Sequence, residues 1–122
     1  MMYEGNDLRK HERIAGQFVI LYRIPEENYR ADICQTKDIS LGGLNFTASR
    51  QFDEGAHIVL EIRLFSEQKG VIIKGKVKKS REIAKGLIYD TRLEFLNLDD
   101  MQKEAIGQVE KILLGNKQKN NP

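Results

Sequence analysis

The sequence has few of the features that mark exported, membrane-spanning or disulfide-bonded proteins. Its one cysteine, Cys34, cannot form an intramolecular disulfide, which agrees with a reducing compartment. The longest apolar run, residues 18–22, is far shorter than the roughly 20 residues that cross a bilayer. Because the N-terminus is also too polar for a signal peptide, we expect a cytoplasmic protein that does not insert into membranes.

Groups for catalysis or metal binding are scarce as well. His11 and His57 are far apart in the sequence, and with a single cysteine they match none of the usual metal-ligand spacings. Ser40 does not lie in a G-x-S-x-G nucleophile elbow. The adjacent acidic pairs at 26–27 and 99–100 fit a turn and a helix start better than acid–base catalysis. We therefore predict a protein that is not an enzyme and has no metal site or resident cofactor.

No charge of one sign dominates the chain. Twenty Lys and Arg residues against eighteen Asp and Glu give a net charge of +2, so this is not a polycation that coats nucleic acid. Any anion must be bound by a local cluster of charges. The length of 122 residues, with 40% hydrophobic and 31% charged residues, predicts one soluble domain with a single core.

Alternating apolar and polar residues predict β-strands. The clearest case is the segment in which Ile58, Leu60, Ile62 and Leu64 share one face. Short polar or glycine-containing turns separate such segments, and no βαβ alternation occurs. The six predicted strands are residues 18–23, 29–37, 44–48, 58–65, 71–78 and 89–95. Together they indicate an antiparallel barrel or sandwich.

The two ends of the chain differ from this β-rich part. Residues 1–15 are charged and have no sustained apolar period, which predicts a flexible N-terminal arm outside the core. Residues 99–114 have helical periodicity, with Asp99 and Asp100 at the start and Gly115 after the end, and the predicted helix covers one end of the barrel. We assign the barrel and helix to residues 16–115 and a disordered polar tail to 116–122.

Two short motifs point to a ligand. Arg9 and Arg13 offer guanidinium groups that can pair with the O6 and N7 atoms of guanine, stack on its ring or neutralise a phosphate. Asp38 and Ser40 offer a carboxylate and a hydroxyl, and a carboxylate can accept from the donors on the other edge of guanine. Gly43 removes a side chain where the backbone turns or approaches a ligand. This set of groups suits a guanine nucleotide.

These motifs resemble the RxxxR and (D/N)xSxxG signatures of the PilZ family of bacterial cyclic di-GMP receptors, and the likeness extends over about residues 8–114. It implies a mostly β fold, a six-stranded antiparallel PilZ-type barrel with a C-terminal α-helix and a flexible arm. It also implies that the two arginines hold guanine and phosphate while Asp38 and Ser40 bond a base beside Gly43. The possible additional contacts are Leu8, Lys10 and Gly42.

One position departs from the commonest family pattern. Many members carry a basic residue just before the first motif arginine, where it can stack on a second nucleotide, but this chain has Leu8. Because leucine has no guanidinium group, we expect one cyclic di-GMP per chain, although Lys10 could still assist a second.

The resemblance implies a cyclic di-GMP receptor or adaptor that changes conformation on binding and acts on a protein effector. Motility or exopolysaccharide production are examples of the process it would regulate. One alternative is a PilZ-like protein-interaction module that does not bind nucleotide. A weaker alternative is a nucleic-acid-binding barrel, because a basic stripe runs along one predicted strand. Stacking aromatics are missing from that stripe, so a solvated outer face is favoured. The stripe comprises Lys74, Lys76, Lys78, Lys79 and Arg81.

Overall fold

The computed structural model describes residues 18–27, 31–64 and 69–120. These residues form seven strands and one helix. In chain order they are β1 (Phe18–Arg23), β2 (Asp32–Ile33), β3 (Gln35–Ser40), β4 (Gly43–Ala48), β5 (His57–Leu64), β6 (Val71–Ala84), β7 (Ile88–Phe95) and α1 (Asp100–Asn120). The predicted arm, which carries Leu8, Arg9, Lys10 and Arg13, lies outside the described residues.

The strands form one antiparallel sheet in the order β2-β1-β5-β6-β7-β4-β3. Its two edge strands, β2 and β3, are separated in the chain by Cys34 alone, so a single short segment belongs to both edges. The Cys34 amide donates to the Ile20 carbonyl at 2.7 Å, which holds this segment against β1. The sheet is therefore nearly closed, and the predicted barrel-like fold is confirmed.

The predicted second strand, residues 29–37, is not continuous. It is divided at Cys34, so the described sheet has seven strands where six were predicted. The division follows from closure, because β2 pairs with β1 whereas β3 pairs with β4 on the other side.

Burial raises the pKa of the Cys34 thiol to about 12, which keeps the thiol protonated at neutral pH.

The barrel interior is filled by the apolar face of each strand. Ile58, Leu60 and Ile62 of β5 are fully buried, as their period-two spacing predicted. Three aromatic rings pack against one another inside, with centroids 5.2 to 5.9 Å apart. They belong to Tyr22, Phe46 and Phe52.

The helix closes the core by packing against β3, β5 and β6. Its residues Ala105, Ile106 and Val109 are buried, as expected for a helix that covers the barrel. The helix continues to Asn120 and does not end at residue 114, so residues 116–120 of the predicted tail belong to it. Gly115 does not take the left-handed conformation with which glycine commonly ends a helix. No helix in the described part of the chain is both long and apolar enough to span a membrane.

Gln102 fixes the start of the helix. The Asp99 amide donates to its Oε1 at 2.7 Å, and the Gln102 amide donates to Asp99 Oδ1 at 2.8 Å, which is a reciprocal capping box. Gln102 Nε2 also donates to the carbonyl of Ile72 in β6 at 2.7 Å. One side chain therefore both caps the helix and attaches it to the sheet.

We expect Gln102→Ala to lower the free energy of unfolding by about 1–2 kcal/mol, because one cap and one inter-element hydrogen bond are lost together. Asp99→Ala, which removes only the other half of the capping box, should cost less. Urea unfolding followed by circular dichroism measures both. Equal losses in the two variants would show that the bond to Ile72 contributes nothing.

Candidate functional site

A groove of about 730 Å³ lies on the outer face of the barrel over β3, β4, β6 and β7. The three residues of the second motif, Asp38, Ser40 and Gly43, line it, and so does Gly42, which was predicted as an additional contact. The structure therefore brings the second motif together in one place. The first motif lies outside the described residues.

A β-bulge in β3 turns Asp38 toward the groove. Thr36 pairs with the buried Phe46, but the register then shifts and Asp38 pairs with Asn45. The Asp38 amide donates to Thr36 Oγ1 at 3.4 Å, and that hydroxyl lies 2.5 Å from the Asn45 carbonyl. The extra residue exchanges the inward and outward positions of the strand. Asp38 and Ser40 are consequently exposed.

Asp38 and Ser40 are strand residues, although the predicted strands at residues 29–37 and 44–48 left both of them in the connection between strands. β3 runs to Ser40, and the turn consists of Leu41 and Gly42. The Gly42 amide donates to Ser40 Oγ at 3.2 Å, and the Gly42 carbonyl accepts from the Phe95 amide at 3.0 Å. These bonds tie the turn both to β3 and to the end of β7.

Gly43 is required by the close approach of two strands. A Cβ atom at this position would collide with the carbonyl oxygen of Leu93 and lie 3.2 Å from the Glu94 Cα. Both obstacles are backbone atoms, which cannot move without separating β4 from β7. Gly42 has more space, since a Cβ there would meet only Ser40 Oγ at 3.7 Å.

Sequence reasoning missed half of the groove. Its floor and far wall include polar residues of β4, β6 and β7 that belong to neither motif. Outward positions in these strands could be read from the period-two pattern, but their neighbours depend on strand register. Lys78 and Lys79 were considered only as part of the basic stripe, for which a solvated face was favoured over nucleic-acid binding, and the others were not considered. The additional polar residues are Asn45, Lys78, Lys79, Arg92 and Glu94.

The charges in the groove are of both signs. Lys78 Nζ lies 3.9 Å from Glu94 Oε1, and both side chains are about half exposed, so this ion pair contributes little stability. Lys79 and Arg92 add two more positive charges, and Asp38 adds a negative one. The groove can therefore donate to an anion and accept from a base edge. Within residues 18–27, 31–64 and 69–120, no cluster of three potential metal ligands occurs.

β1 starts at the same end of the sheet as the turn between β3 and β4, which borders the groove. Phe18, the first described residue, pairs with Leu64 at the end of β5. Neighbouring strands alternate in direction, so the end of β7 faces this end of the sheet as well. The register does not place the two strand ends side by side, because Phe95 pairs with Gly75, which lies opposite Ile58 and not Leu64.

The family model described as PilZ domain matches residues 7–109. The chain belongs to the PilZ domain family. No curated protein matches the chain.

Solved structures resemble this PilZ domain in fold. Bacillus subtilis inhibitor of motility (MotI/DgrA) has a TM-score of 0.60 and 16% identity, over 86% of this chain and 48% of that chain. K. pneumonia MrkH in its apo state has a TM-score of 0.61 and 19% identity, over 85% and 47%. The MrkH–c-di-GMP complex has a TM-score of 0.57 and 18% identity, over 85% and 49%. The PilZ domain therefore spans about half the length of these chains.

We expect Gly43→Ala to destabilise the PilZ domain by at least about 2 kcal/mol, because the new methyl group overlaps backbone. Gly42→Ala is the matched control, and its effect should stay within about 0.5 kcal/mol. Thermal and denaturant unfolding of both variants measure the difference. Equal stability of the two variants would contradict the close approach of β4 and β7.

Proposed function

We propose that this PilZ domain is a non-enzymatic receptor for cyclic di-GMP and that the nucleotide binds in the groove beside Asp38, Ser40 and Gly43. The observation that carries the proposal is the convergence of the second motif on one groove. The start of β1 faces the same end of the sheet as the motif turn, which supports a contribution from Arg9 and Arg13.

The groups in the groove match the chemistry of the ligand. Guanine has hydrogen-bond donors on one edge, which the Asp38 carboxylate can accept, and O6 and N7 acceptors on the other, which arginine can reach. Arg13 precedes Phe18 by five residues, and an extended chain of that length spans roughly 17 Å. We propose that within this reach the guanidinium groups of both motif arginines contact a nucleotide in the groove.

The strand-borne half of the proposed site is preformed. Asp38, Ser40 and Gly43 belong to paired strands, so they need no rearrangement to meet the ligand. Binding then brings the arginine-bearing segment into contact with the nucleotide, and the changed surface is the signal. This mode of action needs a protein effector, which acts in the cytoplasm on a process such as motility or exopolysaccharide production.

The relatives support this proposal in general terms. MrkH has been solved in complex with c-di-GMP, and MotI is an inhibitor of motility. Their identity to this chain is low, at 16% and 18%. The MrkH complex supports the class of ligand, and MotI gives weaker support for motility as the regulated process.

We expect calorimetry to detect cyclic di-GMP binding at micromolar or tighter affinity, and no comparable binding of GTP. The Arg9→Ala, Arg13→Ala double variant and Asp38→Ala should each lose at least about tenfold in affinity, because a charged hydrogen-bond partner is removed. Arg63→Ala is the control, since Arg63 pairs with Glu61 on β5 away from the groove. Absence of binding by the unmodified protein would overturn the receptor proposal and leave the protein-interaction module.

We also expect the same titrations to give one nucleotide per chain. Leu8 lacks the guanidinium group that would stack on a second, intercalated nucleotide. Leu8→Arg supplies that group, and we expect it to raise the stoichiometry toward two. A stoichiometry of two in the unmodified protein would show that Lys10 or another residue replaces the missing group.

A further inference from the structure

A second bulge changes which lysines face the groove. In β6, outward Lys74, Lys76 and Lys78 alternate with buried residues as far as Val77. The register then shifts between Val77 and Lys79, so Lys78 and Lys79 are both exposed and both line the groove.

Ser80 holds β6 in its shifted phase. Its hydroxyl accepts from the Phe52 amide at 3.0 Å and lies 2.9 Å from the hydroxyl of the fully buried Thr91. Because Ser80 is fixed on the inner side, its neighbour Lys79 must point outward. The position of Lys79 is therefore set by the core and not by solvent alone.

The shift places two positive charges directly opposite each other. Lys79 pairs with Arg92 of β7, and both side chains are exposed in the groove. Like charges in opposite positions destabilise a sheet. Among the described residues, Glu94 forms an ion pair with Lys78, and no carboxylate forms an ion pair with Lys79 or Arg92. An anion in the groove would remove this repulsion.

The two cations stand at one end of a row that crosses the groove. Asp38 pairs with Asn45, Asn45 with Arg92, and Arg92 with Lys79. With strands about 4.8 Å apart, the row measures roughly 14 Å from Asp38 to Lys79. It has an acceptor for a base edge at one end and donors for an anion at the other, over a length similar to that of a dinucleotide.

We propose that Lys79 and Arg92 form a phosphodiester-binding subsite in this groove. The inference rests on the proposed function, because the phosphodiester is that of the cyclic dinucleotide whose guanine Asp38 accepts. Arginine offers two parallel donors to one phosphate, and lysine adds a point charge from the opposite strand. The subsite is independent of both sequence motifs.

The test uses Lys79→Gln and Arg92→Gln in the full chain, with Lys74→Gln as the control. Lys74 carries the same charge on the same strand but lies opposite Val59, outside the groove. We expect each groove variant to lose about tenfold in cyclic di-GMP affinity and the control to lose less than twofold. The loss should shrink at high salt, because screening weakens the charge interaction.

A second measurement separates a binding role from a structural role. Removing either like charge should raise the melting temperature of the ligand-free protein by one to a few degrees, although it weakens binding. Arg92→Lys should keep part of the affinity, because it retains the charge but not the paired donors. Unchanged affinity in Lys79→Gln and Arg92→Gln, with the unmodified protein binding normally, would overturn the subsite alone.

Two further outcomes are decisive. No binding of cyclic di-GMP by the unmodified protein would overturn the proposed function together with the subsite. The second outcome comes from titration of the same variants with inorganic phosphate. Phosphate binding that depends on Lys79 and Arg92, combined with cyclic di-GMP binding that does not, would identify a free-anion site and overturn the assignment.

Discussion

The backbones of β4 and β7 approach each other at Gly43 so closely that no side chain fits between them. This approach joins the end of β7 to the turn after β3, and the Phe95 amide completes the connection through the Gly42 carbonyl. The groove depends on it, because its wall on β3 and its floor on β7 are held at a fixed distance there. A motif glycine thus has a structural role in this chain that does not require a ligand.

Two bulges then determine which side chains the groove receives. Each inserts one residue into an antiparallel ladder and exchanges the inner and outer faces of its strand beyond that point. Without the shift in β3, Asp38 would point inward, on the same side as Thr36 and its pairing partner, the core residue Phe46. Without the shift in β6, Lys79 would replace Ser80 on the inner side. The chemistry of the groove is therefore set by interruptions of the period-two pattern.

These interruptions explain which features of the fold and of the groove could be predicted from the sequence. β1 was predicted with its observed bounds, and the barrel-like fold and the C-terminal helix were also predicted, because they depend on local periodicity. The bulges and the division at Cys34 depend on partner strands, which one sequence does not show. The motif pointed to Asp38 and its neighbours because these residues are close together in the sequence. It missed Arg92, which is distant in the sequence and reaches the groove only through strand register.

The groove combines a rigid scaffold with two cations, Lys79 and Arg92, that form no ion pair with a carboxylate of the described residues. Buried residues such as Ile39 and Leu93 lie directly beneath it, so its backbone is fixed by the core. Lys79 and Arg92 remain opposite each other at a cost in stability that packing alone gives no reason to retain. A ligand that supplies the missing negative charge binds the folded state only, and its binding free energy adds to stability. Because the strand-borne groups are already in place, an anion can meet them without any rearrangement of the paired strands.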